Sequence, residues 1–124
     1  MAEKKQYDLE LRTELYAKSI RVYLKTITKS IVNMDDIKQV VRSSGSVAAN
    51  YMEANDSLSD KDFVYRIKIC RKEAKETRLW FRIINVEEVE QEKIKEFEQE
   101  AHELMNIFGA ILRNFKDNRN KNSK

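Results

Sequence analysis

Proline is absent from the 124 residues, and glycine occurs only twice, at Gly45 and Gly109. Ordinary usage would place about a dozen of the two in a chain of this length. Hairpins and sheet corners draw on those residues for their turns. Their shortage argues against a β-rich fold and for long helices with few connections. Cys70 is the single cysteine, which removes an internal disulfide and the paired spacing of a zinc site. His102 is the single histidine, and three residues before it stands Gln99, where a di-iron bundle needs the Glu of Glu-x-x-His. No Ser-His or Cys-His pair can be argued from one histidine and one cysteine. A phosphate-cradling glycine loop is missing as well. No run reaches the roughly 18 apolar residues of a membrane span, and the charged start lacks the apolar stretch of a signal peptide. The chain therefore reads as soluble, cytoplasmic and non-enzymatic, with no cofactor, metal, membrane or small-molecule substrate implied.

What is present suits a helical domain. Hydrophobic residues make up 41% and charged ones 36%, enough apolar material for a core and too much for a disordered chain. The length fits one domain. Leu9, Tyr16, Ile20, Tyr23 and Ile27 recur at helical spacing and predict a first helix over about Asp8–Ser30. Ile37, Val40, Ser44, Val47 and Tyr51 predict a second over about Asp35–Asn55, with Asp35 or Asp36 as N-cap. Phe63, Ile67, Cys70, Ala74, Thr77, Phe81 and Ile84 keep a four-three rhythm for a third, opened by Ser59 with Asp62 three residues on. Phe97, Ala101, Leu104, Phe108, Ile111 and Phe115 do the same for a fourth over about Glu88–Lys116. Cys70 on this seam reads as a small buried hydrophobe, and His102, off its seam, as a surface residue. Short links force antiparallel neighbours, and the 3.5-residue repeat favours left-handed packing. The expected fold is an all-α, up-down-up-down antiparallel four-helix bundle over residues 7–116, with disordered ends at 1–6 and 117–124.

Three surface features bear on function. First, Tyr65, Ile69, Trp80 and Ile83 form a second apolar stripe on the third helix, and Leu11, Leu15 and Val22 form one on the first. A small bundle has one core, so the Tyr65, Ile69, Trp80, Ile83 stripe is expected to be an oligomer interface. Second, Arg42, Ser46, Asn50 and Glu53 fall within roughly 80° on one side of the second helix. Two readings stand for this strip: a solvated face, or a network with Glu73, Glu76 or Arg78 of the third helix or of a neighbour. The mid-helix Gly45 costs about 1 kcal/mol relative to Ala, and the small residues from Ser43 to Ala49 would let another helix approach. A weaker third reading gathers the Glu53, Glu73 and Glu76 carboxylates around a metal. Third, charge is uneven although the net is only +3. Eight basic residues lie between Lys61 and Arg82, and eight glutamates between Glu87 and Glu103. Flanking ion pairs between the two helices are the plain explanation.

The segments Tyr7-Asp8-Leu9, Arg42-Ser-Ser-Gly-Ser-Val-Ala-Ala-Asn-Tyr-Met-Glu53, Lys61-Asp62-Phe63 and Lys68-Ile-Cys-Arg-Lys-Glu-Ala-Lys-Glu-Thr77 resemble the bacterial four helix bundle proteins. Members of that family are encoded in intervening sequences of large-subunit ribosomal RNA genes, or stand free. The resemblance covers about Tyr7 to Phe115. Family members carry a similar Arg, Ser, Asn and Glu, matching Arg42, Ser46, Asn50 and Glu53, and a late Glu matching Glu76. Many end the second helix with Gly, where this chain has Ala54 and Asn55. The resemblance implies a four-helix protomer assembling into a ring-shaped homo-oligomer, a pentamer, and association with ribosomal or other structured RNA. A similar pentameric bundle that serves retroelement reverse transcriptases binds nucleic acid, an analogy of fold alone. The residues expected to contact RNA are Lys68, Arg71, Lys75, Arg78 and Arg82 on the third helix, with Arg113, Lys116 and Arg119 further along. The rival reading is a protein-interaction scaffold without a nucleic-acid role.

Overall fold

The computed structural model describes residues 8–122. The disordered start expected at 1–6 lies outside them. Four long α-helices follow in order: α1 (Leu9–Leu24), α2 (Met34–Asn55), α3 (Asp60–Ile83) and α4 (Gln91–Asn122), the last preceded by a 3-10 turn at Glu88–Glu90. Among the described residues there is no strand, and the fold is all-α.

Side-chain caps explain two of the starts. Asp8 caps α1, its carboxylate accepting from the Leu11 amide at 2.8 Å, and Ser59 caps α3 by accepting from the Asp62 amide at 3.1 Å. Both satisfy an amide that has no partner inside the helix. At α2 the expectation fails. The residue at the cap is Asn33, and Asp35 and Asp36 lie inside the first turn, where their charge favours the positive end of the helix dipole. The Asn33 side chain is used elsewhere. It is buried, donates to Thr28 O at 3.0 Å and Asn85 O at 2.9 Å, and accepts from the Ser30 amide. It thereby ties the α1–α2 connection to the α3–α4 connection.

Helix ends differ from the sequence reading in two places. α1 stops at Leu24, six residues before Ser30. Thr26 donates to Tyr23 O through its amide and its hydroxyl, a local bond that competes with the next helical turn. Ile27 still enters the core, at 5% exposure, so the apolar spacing persists after the helix has ended. α4 runs on to Asn122 rather than ending near Lys116, which makes residues 117–122 helical. Residues 123 and 124 lie outside the described residues.

One core fills the space between the helices. Tyr16, Tyr23 and Phe81 gather around Phe97 at one end. Tyr51 meets Phe108 in the middle, and Phe63 stacks on Phe115 at the other end. Phe81, Phe108, Ile20, Ile67 and Leu104 are fully buried, each contributing on the order of 1.5–3 kcal/mol of transfer free energy. Close backbone approach joins α2 to α3, α3 to α4 and, less extensively, α1 to α2. The cross-links run in falling register. Ser43 meets Thr77 and Asn50 meets Arg66, Arg82 meets Glu98 and Phe63 meets Phe115, and Arg12 meets Glu100 while Tyr23 meets Glu90.

Candidate nucleic-acid interface and polar network

The edge of α2 that faces α3 is built from small hydroxyls. Ser43 is fully buried there, its hydroxyl 2.7 Å from that of Thr77, while the buried Ser44 beside it accepts from Arg21 of α1 at 3.4 Å. Thr77 also donates to Glu73 O at 2.8 Å. Further out, Arg42 spans to α3, with Nη2 3.0 Å from Glu76 Oε1 and Nη1 3.3 Å from Glu73 Oε1. These bonds, that to Glu73 first, raise the Arg42 pKa. One oxygen of the buried Glu73, Oε1, finds an ion pair there but no well-aligned hydrogen bond. About two turns along, Asn50 donates to Ser46 O and Ser46 Oγ at 2.9 and 3.0 Å and accepts from Arg66 Nη1 at 2.8 Å. Five of the six strip residues thus enter an inter-helix network: Arg42, Ser46, Asn50, Glu73 and Glu76. Glu53 does not; it is exposed, and its carboxylate makes no hydrogen bond among the described residues. No group of three His, Cys, Asp or Glu side chains is gathered for a metal among the described residues, and Arg42 stands between the two carboxylates that the metal reading needed. Arg66 was not singled out by sequence. It sits seven residues before Glu73, two turns along the same edge, and that spacing was the available signal.

Gly45 is explained by α1. A Cβ there would lie 2.9 Å from Arg21 Nη2. The Arg21 guanidinium lies across the glycine and donates to Val41 O at 2.9 Å and Ala17 O at 3.0 Å.

The basic residues of α3 divide. Arg82 pairs with Glu98 of α4 at 3.6 Å. Lys68, Arg71, Lys75 and Arg78 make no ion pair among the described residues; Lys68, Arg71 and Lys75 are exposed and Arg78 is half-buried. The acids of α4 turn largely the other way. Arg12 of α1 takes Glu100 in a two-point contact at 2.7 and 2.8 Å and adds Glu103 at 2.9 Å. The bond to Glu100 leads in raising the Arg12 pKa, and bonds from Gln99 and then Arg12 lower that of Glu103. The opposite charges of α3 and α4 therefore face different neighbours, and the general mutual pairing expected from the sequence reduces to Arg82–Glu98. Beside the α3 row, Arg113 of α4 reaches over Gly109 toward Arg71: a Cβ on Gly109 would lie 3.4 Å from Arg113 Nη1 and 3.8 Å from Arg71 Nε. Lys116 is exposed one turn further on. The Arg119 side chain lies outside the described side chains.

The apolar stripe on α3 is rearranged. Tyr65 is 59% and Ile83 52% exposed, and Leu79, missed by sequence though two heptads after Tyr65, joins them at 46%. Ile69 and Trp80 are half-buried. Trp80 packs against the core, with its indole N–H buried and without an acceptor among the described residues, because it is turned roughly 60° from Tyr65 toward α2. On α1, Leu11, Leu15 and Val22 are exposed. Cys70 is fully buried, and burial pushes its thiol up to about 12. His102 is half-buried rather than simply exposed, with Nε2 3.2 Å from Asn106 Nδ2 and Nδ1 buried and unbonded.

No helix among the described residues is long and apolar enough to cross a membrane. No curated protein matches the chain. A crystal structure of a protein of unknown function from the S23 ribosomal protein family of Bacteroides thetaiotaomicron is similar in fold, with a TM-score of 0.70 and 24% identity over 83% of this chain and 96% of that one. The family of 23S rRNA-intervening sequence proteins matches residues 8–110. With its capped four-helix core and its α2–α3 polar edge inside that span, the chain belongs to the 23S rRNA-intervening sequence protein family.

Proposed function

We propose that the chain is a non-enzymatic, homo-oligomeric helical bundle of the cytoplasm that binds structured RNA along its α3–α4 seam. One observation carries the reading. Lys68, Arg71, Lys75 and Arg78 line α3 without a carboxylate partner among the described residues, while Glu100 and Glu103 of α4 are held by Arg12 on the far side. A row of unpaired cations about 15 Å long, at 1.5 Å per residue from Lys68 to Arg78, suits phosphates rather than base edges. No exposed aromatic stands in that row for stacking.

The falling registers of the helix pairs support an up-down-up-down topology, and the four-three spacings support left-handed packing. Self-association rests on the exposed apolar residues of two different helices, Tyr65, Leu79 and Ile83 on α3 and Leu11, Leu15 and Val22 on α1. Two unlike patches make a heterologous contact, which closes as a ring when the rotation between copies allows it, and the resemblance noted above supports a pentameric ring. A ring repeats the cationic row in every copy, so weak contacts combine by avidity.

Filter binding to structured RNA tests the reading. Retention should fall steeply between low and physiological salt, because each neutralised phosphate releases counterions. Arg71→Glu with Lys75→Glu should weaken it further. No retention at low salt, or retention that the double variant leaves unchanged, turns the assignment to a protein scaffold.

A further inference from the structure

Arg71 and Arg113 come from different helices and lay their heads over the same residue. Arg113 Nη1 would stand 3.4 Å, and Arg71 Nε 3.8 Å, from a Cβ on Gly109. Gly109 is buried beneath them. Neither guanidinium makes a hydrogen bond or ion pair among the described residues. The contrast with Gly45 is instructive. There the covering guanidinium of Arg21 donates to Val41 O and Ala17 O, so its donors are used and its charge has company in backbone dipoles. Over Gly109 two like charges meet with their donors free.

The surroundings do not relieve them. On the same flank of α4, Glu98 is engaged with Arg82. Glu100 and Glu103 serve Arg12. His102, Asn106, Gly109 and Arg113 follow at four, three and four residues and so share one face; Asp117, one turn beyond Arg113 on that face, is exposed and makes no ion pair with it among the described residues. Two cations drawn together repel unless an anion sits between them. A guanidinium offers a rigid fork of donors that matches phosphate oxygens two at a time.

We propose that Arg71 and Arg113, converging over Gly109 on the α3–α4 seam, form a two-guanidinium site for a single phosphate group. Gly109 marks the point of convergence: a Cβ there would touch both heads at ordinary contact distance. The phosphate is either a phosphodiester of the RNA backbone, which rests on the reading above, or free inorganic phosphate, which does not.

The two glycines of the chain supply the assay. Protein labelled with nitrogen-15 glycine gives two amide signals, Gly109 at the site and Gly45 as an internal control that is also covered by an arginine. Inorganic phosphate, against chloride at equal ionic strength, should move Gly109 saturably and leave Gly45 in place. Arg71→Gln and Arg113→Gln should each abolish that movement, and Lys38→Gln on α2 should not; all three residues are exposed, and circular dichroism checks that the variants fold. In filter binding each arginine change should weaken structured RNA about ten-fold, as expected for losing a charge-assisted contact. The double change should cost little more than either alone, because both side chains grip one group. Movement of Gly109 with RNA but not with free phosphate supports the site with the phosphodiester as its ligand. Movement with phosphate and no RNA retention keeps the site and removes the RNA reading. RNA retention with Gly109 unmoved by either ligand overturns the site and keeps the RNA reading. A protein that responds to neither loses both.

Discussion

The two glycines also allow a stability argument in which a single distance decides the sign. Both lie inside helices, Gly45 in α2 and Gly109 in α4. An Ala in a helix interior is favoured over Gly by about 0.8–1.0 kcal/mol. At Gly109 the new methyl would meet Arg113 Nη1 at 3.4 Å and Arg71 Nε at 3.8 Å, ordinary contact distances that require no movement. Gly109→Ala should therefore stabilise the protein by about 1 kcal/mol, a rise of roughly 3–5 °C in Tm for a domain of this size. At Gly45 the methyl would fall 2.9 Å from Arg21 Nη2, which no real contact tolerates. Arg21 must move, and its bond to Val41 O at 2.9 Å is lost, at about 0.5–1.5 kcal/mol. The two terms cancel, so Gly45→Ala should leave stability within about 0.5 kcal/mol of the parent. In an Arg21→Ala background the obstruction is gone, and Gly45→Ala should recover the full increment, about 1 kcal/mol. Urea unfolding followed by circular dichroism, at one fixed protein concentration because any self-association shifts midpoints, measures all three differences. If Gly45→Ala stabilises as much as Gly109→Ala, or gains nothing when Arg21 is removed, the placement of Arg21 over the glycine is wrong.

Three further outcomes are expected. Asn50→Ala removes the link between Ser46 and Arg66 and should lower stability by about 1 kcal/mol in urea midpoints; a change below about 0.5 kcal/mol would return the strip to a solvated face. Burial raises the Cys70 thiol to about 12, and burial leads in raising the Tyr16 and Tyr23 phenols. The unfolded chain therefore releases these protons first, so their contribution is intact at neutral pH and is lost as pH climbs above about 9. Urea midpoints should hold from about pH 7 to 8 and fall beyond about 9, and a midpoint unchanged to about pH 11 would contradict the burial of these groups. Tyr65→Glu with Ile83→Glu should move the protein toward the 14.7 kDa monomer in light scattering at micromolar concentration, and a parent that is already monomeric removes the oligomer from the proposal.

Much of this was legible from spacing alone. The α3 and α4 seams are regular because each core residue contributes to one continuous contact, and their periodicity records it. Ile27 shows the limit: the apolar rhythm runs past Leu24 although the backbone does not, since a loop can also deliver a side chain to the core. Asn33 shows another, because an amide that binds two distant carbonyls leaves no periodic trace. The polar edge was half visible. Arg42, Ser46, Asn50 and Glu53 share an arc of roughly 80°, and Glu53 lies within it, so direction alone does not show that its carboxylate stays exposed and unbonded among the described residues. Which way the charges of α3 and α4 face depends on the rotation of each helix about its axis. The Arg12–Glu100 link spans 88 positions in sequence, and composition gave no sign of it.

The tie between α1 and α4 has a consequence for how the molecule opens. α1 approaches the backbone of α2 but reaches α4 mainly through long side chains: the Tyr16 hydroxyl on Phe97 O, the Tyr23 hydroxyl on Glu90, and Arg12 on Glu100 and Glu103. The first helix is thus the least cooperatively held quarter of the fold, while α2, α3 and α4 share the extensive contacts. Native-state hydrogen exchange should resolve α1 as a separate unit whose amides open at a lower free energy than those of α3. Each such opening would uncover Phe97 and Tyr23 without unfolding the rest, and would release the two glutamates that Arg12 holds. A chain in that state presents unpaired carboxylates on the flank of α4 that faces away from the cationic row of α3, so the local event that loosens the chain also changes the charge of that far flank.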